Sequence, residues 1–158
     1  MTDLTAAEQR VADAIRSLGL PGAVRILDTS AATAQMAAEA LQVEVGRIVK
    51  SLLFRSAETG APIMLLVSGA NRVHERRTGR RIGETLERAD ADFVKLHTGF
   101  SIGGVSPFGH PRPLRIGIDE TLFTHTTVWA AAGHPRSVFE ITPQDLQRAT
   151  KGERVSVL

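Results

Sequence analysis

The sequence predicts one mixed α+β domain spanning residues 1–158. Short apolar runs of strand length alternate irregularly with helical repeats, which is unlike the regular β-α-β order of a doubly wound sheet. Two of these runs, Lys50–Arg55 and Ile63–Val67, are joined by Glu58-Thr59-Gly60-Ala61-Pro62, a link that reads as a hairpin turn. No repeat, low-complexity tract or linker divides the 158 residues, a length that suits a single core.

The elements follow in order. Thr5 with Glu8 forms a capping box, and Leu4, Val11, Ile15 and Leu18 keep helical spacing until Gly19 and Pro21 stop the helix. Val24–Leu27 is a short strand. Thr33 caps an Ala-rich helix running to Leu41, and Gly46–Val49 adds a helical turn. After the hairpin, Arg72–Arg81 forms a short basic helix. Asp90 caps another, with Phe93, Leu96 and His97 on one face and Gly99 at its end. Leu114–Ile118 is a strand. Val128–Ala132 and Val138–Ile141 are strands around the Gly133-His134-Pro135 turn. Thr142-Pro143 starts a helix with proline in the first position, and Val155–Leu158 is the last strand.

Composition removes several classes of chemistry. Hydrophobic residues make up 42% and charged residues 23%, an ordinary globular balance. There is no cysteine, so disulfides, zinc–thiolate sites and cysteine nucleophiles are excluded. No run approaches the roughly 20 apolar residues of a membrane span. Met1-Thr2-Asp3-Leu4 lacks the basic start and apolar stretch of a signal peptide, so the expected location is cytoplasmic. The net charge of +2 is too small to name a partner.

Lys50 stands in the apolar run Ile48-Val49-Lys50-Ser51-Leu52-Leu53-Phe54. On a strand it shares a face with Leu52 and Phe54. Desolvating an ammonium is costly, so two readings stay open. The lysine snorkels from a strand end, or it is a cation on the floor of a pocket for a phosphate or carbonyl oxygen. The loop Gly103-Gly104-Val105-Ser106-Pro107-Phe108-Gly109-His110 bears on the choice. Adjacent glycines reach φ > 0 and let a ligand approach the main chain. Their N–H groups can cradle an anion or an oxyanion; a plain structural turn would use the same residues.

Other candidates are weaker. Ser106 misses the nucleophile elbow because Phe108 occupies the second glycine position, and a triad with a histidine and Asp119 exists only on paper. The five histidines form no helical metal pair. His134, between Gly133 and Pro135, is the best placed to reach a site. Arg72, Arg76, Arg77, Arg80 and Arg81 form a basic patch suited to phosphate, or simply a solvated helix face.

Taken together, these segments resemble the YbaK/prolyl-tRNA-synthetase-associated family of aminoacyl-tRNA editing domains. The resemblance runs from about Thr33 to the C-terminus. It rests on Ile48-Val49-Lys50-Ser51-Leu52, on Gly103 to Pro107 as a Gly-x-x-x-Pro loop, on Trp129-Ala130-Ala131-Ala132-Gly133-His134-Pro135, and on Val138–Pro143 with Leu146. It implies a mixed, strongly curved, barrel-like sheet flanked by helices. It also implies metal-independent hydrolysis, without a cofactor, of the ester joining a wrong amino acid to the acceptor end of a tRNA. Lys50 would be the essential lysine, with Gly103 and Gly104 beside it in catalysis. Ser51, Ser106, Pro107 and His134 would line the substrate pocket, and the arginines would meet tRNA.

The expected partners are therefore mischarged tRNA, commonly proline tRNA carrying alanine or cysteine, and prolyl-tRNA synthetase. No membrane partner is expected. Ser51 departs from the alanine-clearing branch, where asparagine usually follows the lysine, and leaves the amino acid open. The alternative is a non-catalytic module of the same fold that binds tRNA ends or a protein.

Overall fold

The capping box forms as the sequence requires. Thr5 Oγ accepts from Glu8 N–H at 3.1 Å, and Glu8 Oε1 accepts from Thr5 N–H at 2.7 Å. It opens helix α1, Ala6–Ser17, whose Val11 and Ile15 turn inward and are buried. The computed structural model describes residues 3–158. Met1 and Thr2, which open the segment read as lacking a leader, lie outside the described residues.

Strand β1, Arg25–Ile26, is only two residues long. Thr33 caps α2, Ala34–Leu41, by accepting from Met36 N–H at 3.2 Å, and a 3-10 turn covers Val45–Arg47. Strands β2, Val49–Ser56, and β3, Pro62–Ser68, form the expected hairpin, in register from Val49 opposite Ser68 to Arg55 opposite Pro62. Helix α3 is Glu75–Ile82, shorter at its start than the basic run. Asp90 caps α4, Ala91–Thr98, which ends on Gly99 at φ +78°. Phe93 and His97 stack with ring centroids 4.3 Å apart, but Leu96 is 71% exposed and leaves the face assigned to all three.

Strand β4, Leu86–Arg88, went unseen in the sequence because it is short and largely polar; it exists by pairing with the end of β2. Strand β5, Arg115–Asp119, runs into a second 3-10 segment, Glu120–Thr124, also unseen. Strands β6, Val128–Ala131, and β7, Ser137–Ile141, form the second hairpin. Helix α5, Pro143–Thr150, precedes β8, which is Glu153–Val155 rather than Val155–Leu158. Its parallel register on β5, Gly117 opposite Glu153 to Asp119 opposite Val155, fixes it earlier in the chain.

Two sheets result, ordered β4-β2-β3-β5-β8 and β1-β7-β6. In the larger sheet, β3–β5 and β5–β8 are parallel and the remaining pairs antiparallel, so the expected mixed α+β class holds. The expected barrel does not form: neither sheet closes on itself. They meet at one isolated parallel bridge, Ile48 to Trp129. One bridge cannot carry a ladder along the rest of β2, so the seam opens there. The main core, including Val11, Met64, Leu66, Phe100 and Phe139, lies on one face of the larger sheet. A smaller cluster, Phe54, Leu65, Val67 and Val157, lies on the other.

Candidate active site

Where the seam opens, a cavity of about 480 Å³ lies between β2 and β6. Its size falls in the usual range for small-ligand pockets, roughly 300–1,000 Å³. Residues 48–54 line one side and Trp129, Ala130 and Ala131 line the other. The segment before α2 and the Ile102–Gly103 loop complete the rim. Lys50 and Arg88 are the only charged residues in the lining, and both are cations. The wall is otherwise apolar apart from Thr33, Ser51 and main-chain groups, so it suits an oxygen-rich ligand and offers no carboxylate.

Strand alternation puts Lys50 on the β2 face with Leu52 and Phe54, as the sequence implied. Opposite it on β3 is the buried Val67. The ammonium donates to the Asn71 carbonyl. Burial lowers the Lys50 pKa below the usual lysine range; Arg72 pushes the same way, and Asp119 opposes them. Ser51 faces the other way, and its hydroxyl is buried without a protein partner.

The glycine loop is split by the structure. Gly103 lines the cavity at φ +96°. Gly104 does not: its N–H donates to Ser101 O at 3.0 Å, closing the loop's own turn. A Cβ on Gly104 would meet His134 N at 2.8 Å, so the two main chains are in contact. Ser106 is fully buried, accepts from Phe108 N–H at 3.3 Å, and lies off the cavity with Pro107. No histidine contacts Asp119, whose oxygens are taken by Ser68, Asn71 and Thr121, so the paper triad is not assembled. His134 is exposed, its Nδ1 accepting from Arg136 N–H at 3.1 Å, and it too is off the lining.

The arginines diverge as well. Arg72 lies near enough to Lys50 to repel it. Arg76, Arg77 and Arg80 point to solvent on and around α3. Arg81 donates to Ser156 O at 2.9 Å and Leu158 O at 2.7 Å, tying down the chain end. Among the described residues no group of three His, Asp or Glu side chains could hold a metal. No helix among them is long and apolar enough to cross a membrane.

Three features of the site escaped the sequence reading. Arg88 reaches the cavity only because β4 pairs with β2. Trp129 forms part of the wall, with the Arg25 guanidinium 5.9 Å from its ring centroid. Asn71 and Asp119 hold the lysine; their one local signal was polar residues at the ends of apolar strands.

A cationic floor, a glycine rim and an open seam between two sheets describe a pocket protein for an oxygen-rich ligand. Comparison with known proteins gives the family. The chain belongs to the aminoacyl-tRNA editing domain family, whose model matches residues 28–149. It is 34% identical over 119 residues to the uncharacterized protein YwhH of Bacillus subtilis, covering 75% of each chain. To EbsC of Enterococcus faecalis, named as a candidate Cys-tRNA(Pro)/Cys-tRNA(Cys) deacylase, it is 25% identical over 122 residues, covering 77% of this chain and 74% of EbsC. A crystal structure of a candidate trans-editing enzyme for prolyl tRNA synthetase superposes with TM-score 0.91 at 39% identity over 98% of both chains.

Proposed function

We propose that the protein is a trans-editing aminoacyl-tRNA deacylase that acts on proline tRNA carrying a small wrong amino acid. The observation that carries this reading is that Lys50 and Gly103 border one cavity with no acidic side chain in its wall. Lys50 holds the terminal phosphate or the ester carbonyl. The Gly103 N–H, which has no acceptor among the described residues, faces the oxyanion as it develops. Gly104 acts on the rim through its packing against His134.

An aminoacyl ester is already activated, so water or the neighbouring ribose hydroxyl suffices as nucleophile. The carbonyl carbon gains the attacking oxygen, and its bond to the tRNA oxygen breaks. After attack by water, the free amino acid and the tRNA hydroxyl are released. Exclusion by size then spares the correct, larger residue, as in a second sieve. The family match and the prolyl-tRNA trans-editing neighbour support this reading, and association with prolyl-tRNA synthetase fits it.

The test is a deacylation panel: proline tRNA charged with alanine, cysteine or serine, and a correctly charged control. Wild type clears one or more of the wrong esters and spares the control. Lys50→Ala brings the rate down to the spontaneous one while its melting curve and circular dichroism stay native. Wild-type hydrolysis by that variant would refute the assignment.

A binding module is the second reading, and the exposed Arg76, Arg77 and Arg80 favour it. It requires wild type to retain charged tRNA with every ester intact.

A further inference from the structure

Asp119 is fully buried at the end of β5, with 1% of its surface exposed, and forms no ion pair within direct contact distance. A buried carboxylate without a nearby cation is costly. Its hydrogen bonds indicate where the compensation lies. Oδ2 accepts from Ser68 N–H at 3.0 Å and from Asn71 Nδ2 at 2.9 Å, and Oδ1 accepts from Thr121 N–H at 3.0 Å. Asn71 Nδ2 also donates to Thr121 Oγ at 3.0 Å, and Asn71 N–H donates to Ser68 O at 2.9 Å. Every polar group of Asn71 is thereby fixed except its carbonyl, and that carbonyl accepts the Lys50 ammonium.

We propose that Asp119 is the positioning residue of Lys50: through Asn71 it sets where the ammonium stands, and its charge keeps that ammonium protonated inside the cavity. The inference rests on the deacylase reading for its catalytic meaning and on these contacts alone for its physical content. The charged groups facing Lys50 are Arg72, which repels its proton, and Asp119, which retains it. Lys50 is itself partly buried, which favours loss of that proton. Without Asp119, both remaining influences work to discharge the amine. Without the Asn71 side chain, the charge remains but the carbonyl loses its anchor to β5.

The chain has three lysines, Lys50, Lys95 and Lys151. Lysine labelled with carbon-13 at Cε therefore gives few signals, assignable by Lys95→Arg and Lys151→Arg. The measurement is the titration midpoint of Lys50 in wild type, Asp119→Asn and Asn71→Ala, without substrate, alongside the pH profile of deacylation. Asp119→Asn is expected to move the midpoint down and to draw the alkaline limb of activity down with it. Asn71→Ala is expected to lower kcat about 10²-fold, the scale of a misplaced catalytic group, with KM changed less than twofold.

Thermal melting screens both variants for folding. Should Asp119→Asn fail to fold, Asn71→Ala, which keeps the carboxylate, decides the matter through kcat and the Lys50 signal. A folded variant with midpoint, pH profile and kcat all within error of wild type overturns the proposal. The two levels separate cleanly. A shifted midpoint in a protein that clears no mischarged tRNA removes the deacylase reading and leaves the relay standing. An unmoved midpoint with hydrolysis intact does the reverse.

Discussion

On the β2 side of the cavity, Lys50 is held by charge and hydrogen bonds that run through Asn71 to the buried Asp119. On the facing side, the Gly103–Gly104 loop is held by main-chain contacts too close for any side chain. Gly104 packs on His134, and Gly133, at φ +97°, packs on α1, where a Cβ would meet the Ala7 carbonyl carbon at 2.8 Å. Behind that turn the buried Glu8 accepts from the Ser137 hydroxyl. The difference teaches that one side of the site is set by protonation and the other by atomic radii. Changes in pH should act on the first, and added methyl groups on the second.

The sharpest contrast comes from the two largest effects. Where Lys50→Ala removes the cation, Gly104→Ala keeps it and displaces the loop. Its Cβ would press on main-chain atoms that cannot rotate away, so kcat should fall on the order of 10²-fold. Lys50 is depressed below the usual lysine range, so activity that needs its charge should decline as pH rises through that lowered value. In Gly104→Ala the midpoint of that decline should be unchanged; a displaced midpoint would show that the two sides are not independent.

Glu8 probes the glycine side from behind. Burial pushes its carboxyl up, but hydrogen bonds from Ser137 and Thr5 outweigh this and leave it below the usual range. Glu8→Ala strands the Ser137 hydroxyl and removes the capping box, for a loss of about 1–3 kcal/mol in urea unfolding. The Lys50 midpoint should stay put. A shift there would break the comparison from the other side.

A smaller effect belongs to His110, partly buried with Nε2 2.7 Å from the Ser106 carbonyl. Burial lowers its pKa, and the hydrogen bond to Ser106 only partly opposes that. The unfolded chain then binds more protons, so stability present at neutral pH is lost as pH falls from about 6.5 toward the depressed folded value. The melting temperature should drop across that window in wild type, and the His110-dependent part of the slope should vanish in His110→Gln. Deacylation by the folded protein should keep its alkaline limb.

The sequence told the two sides apart only in part. Lys50 was legible because strand periodicity makes a charge in an apolar run conspicuous. The hairpins and caps were legible because their signals are local. Asn71 and Asp119 were not, since 48 residues separate the side chains that bond. The direction of the Gly104 N–H depends on a turn to Ser101 that a bare Gly-Gly does not specify. Strand β4 escaped because its stability comes from β2 rather than from its own composition. The open seam is a property of two sheets that fail to join, and no single segment encodes it.

Trp129 is the chain's only tryptophan, tyrosine is absent, and that indole belongs to the cavity wall. Ultraviolet emission excited at the red edge therefore originates at one address in the fold. Docking of an acceptor-end mimic should quench or shift that light without any attached dye, giving the chain a built-in optical gauge of occupancy.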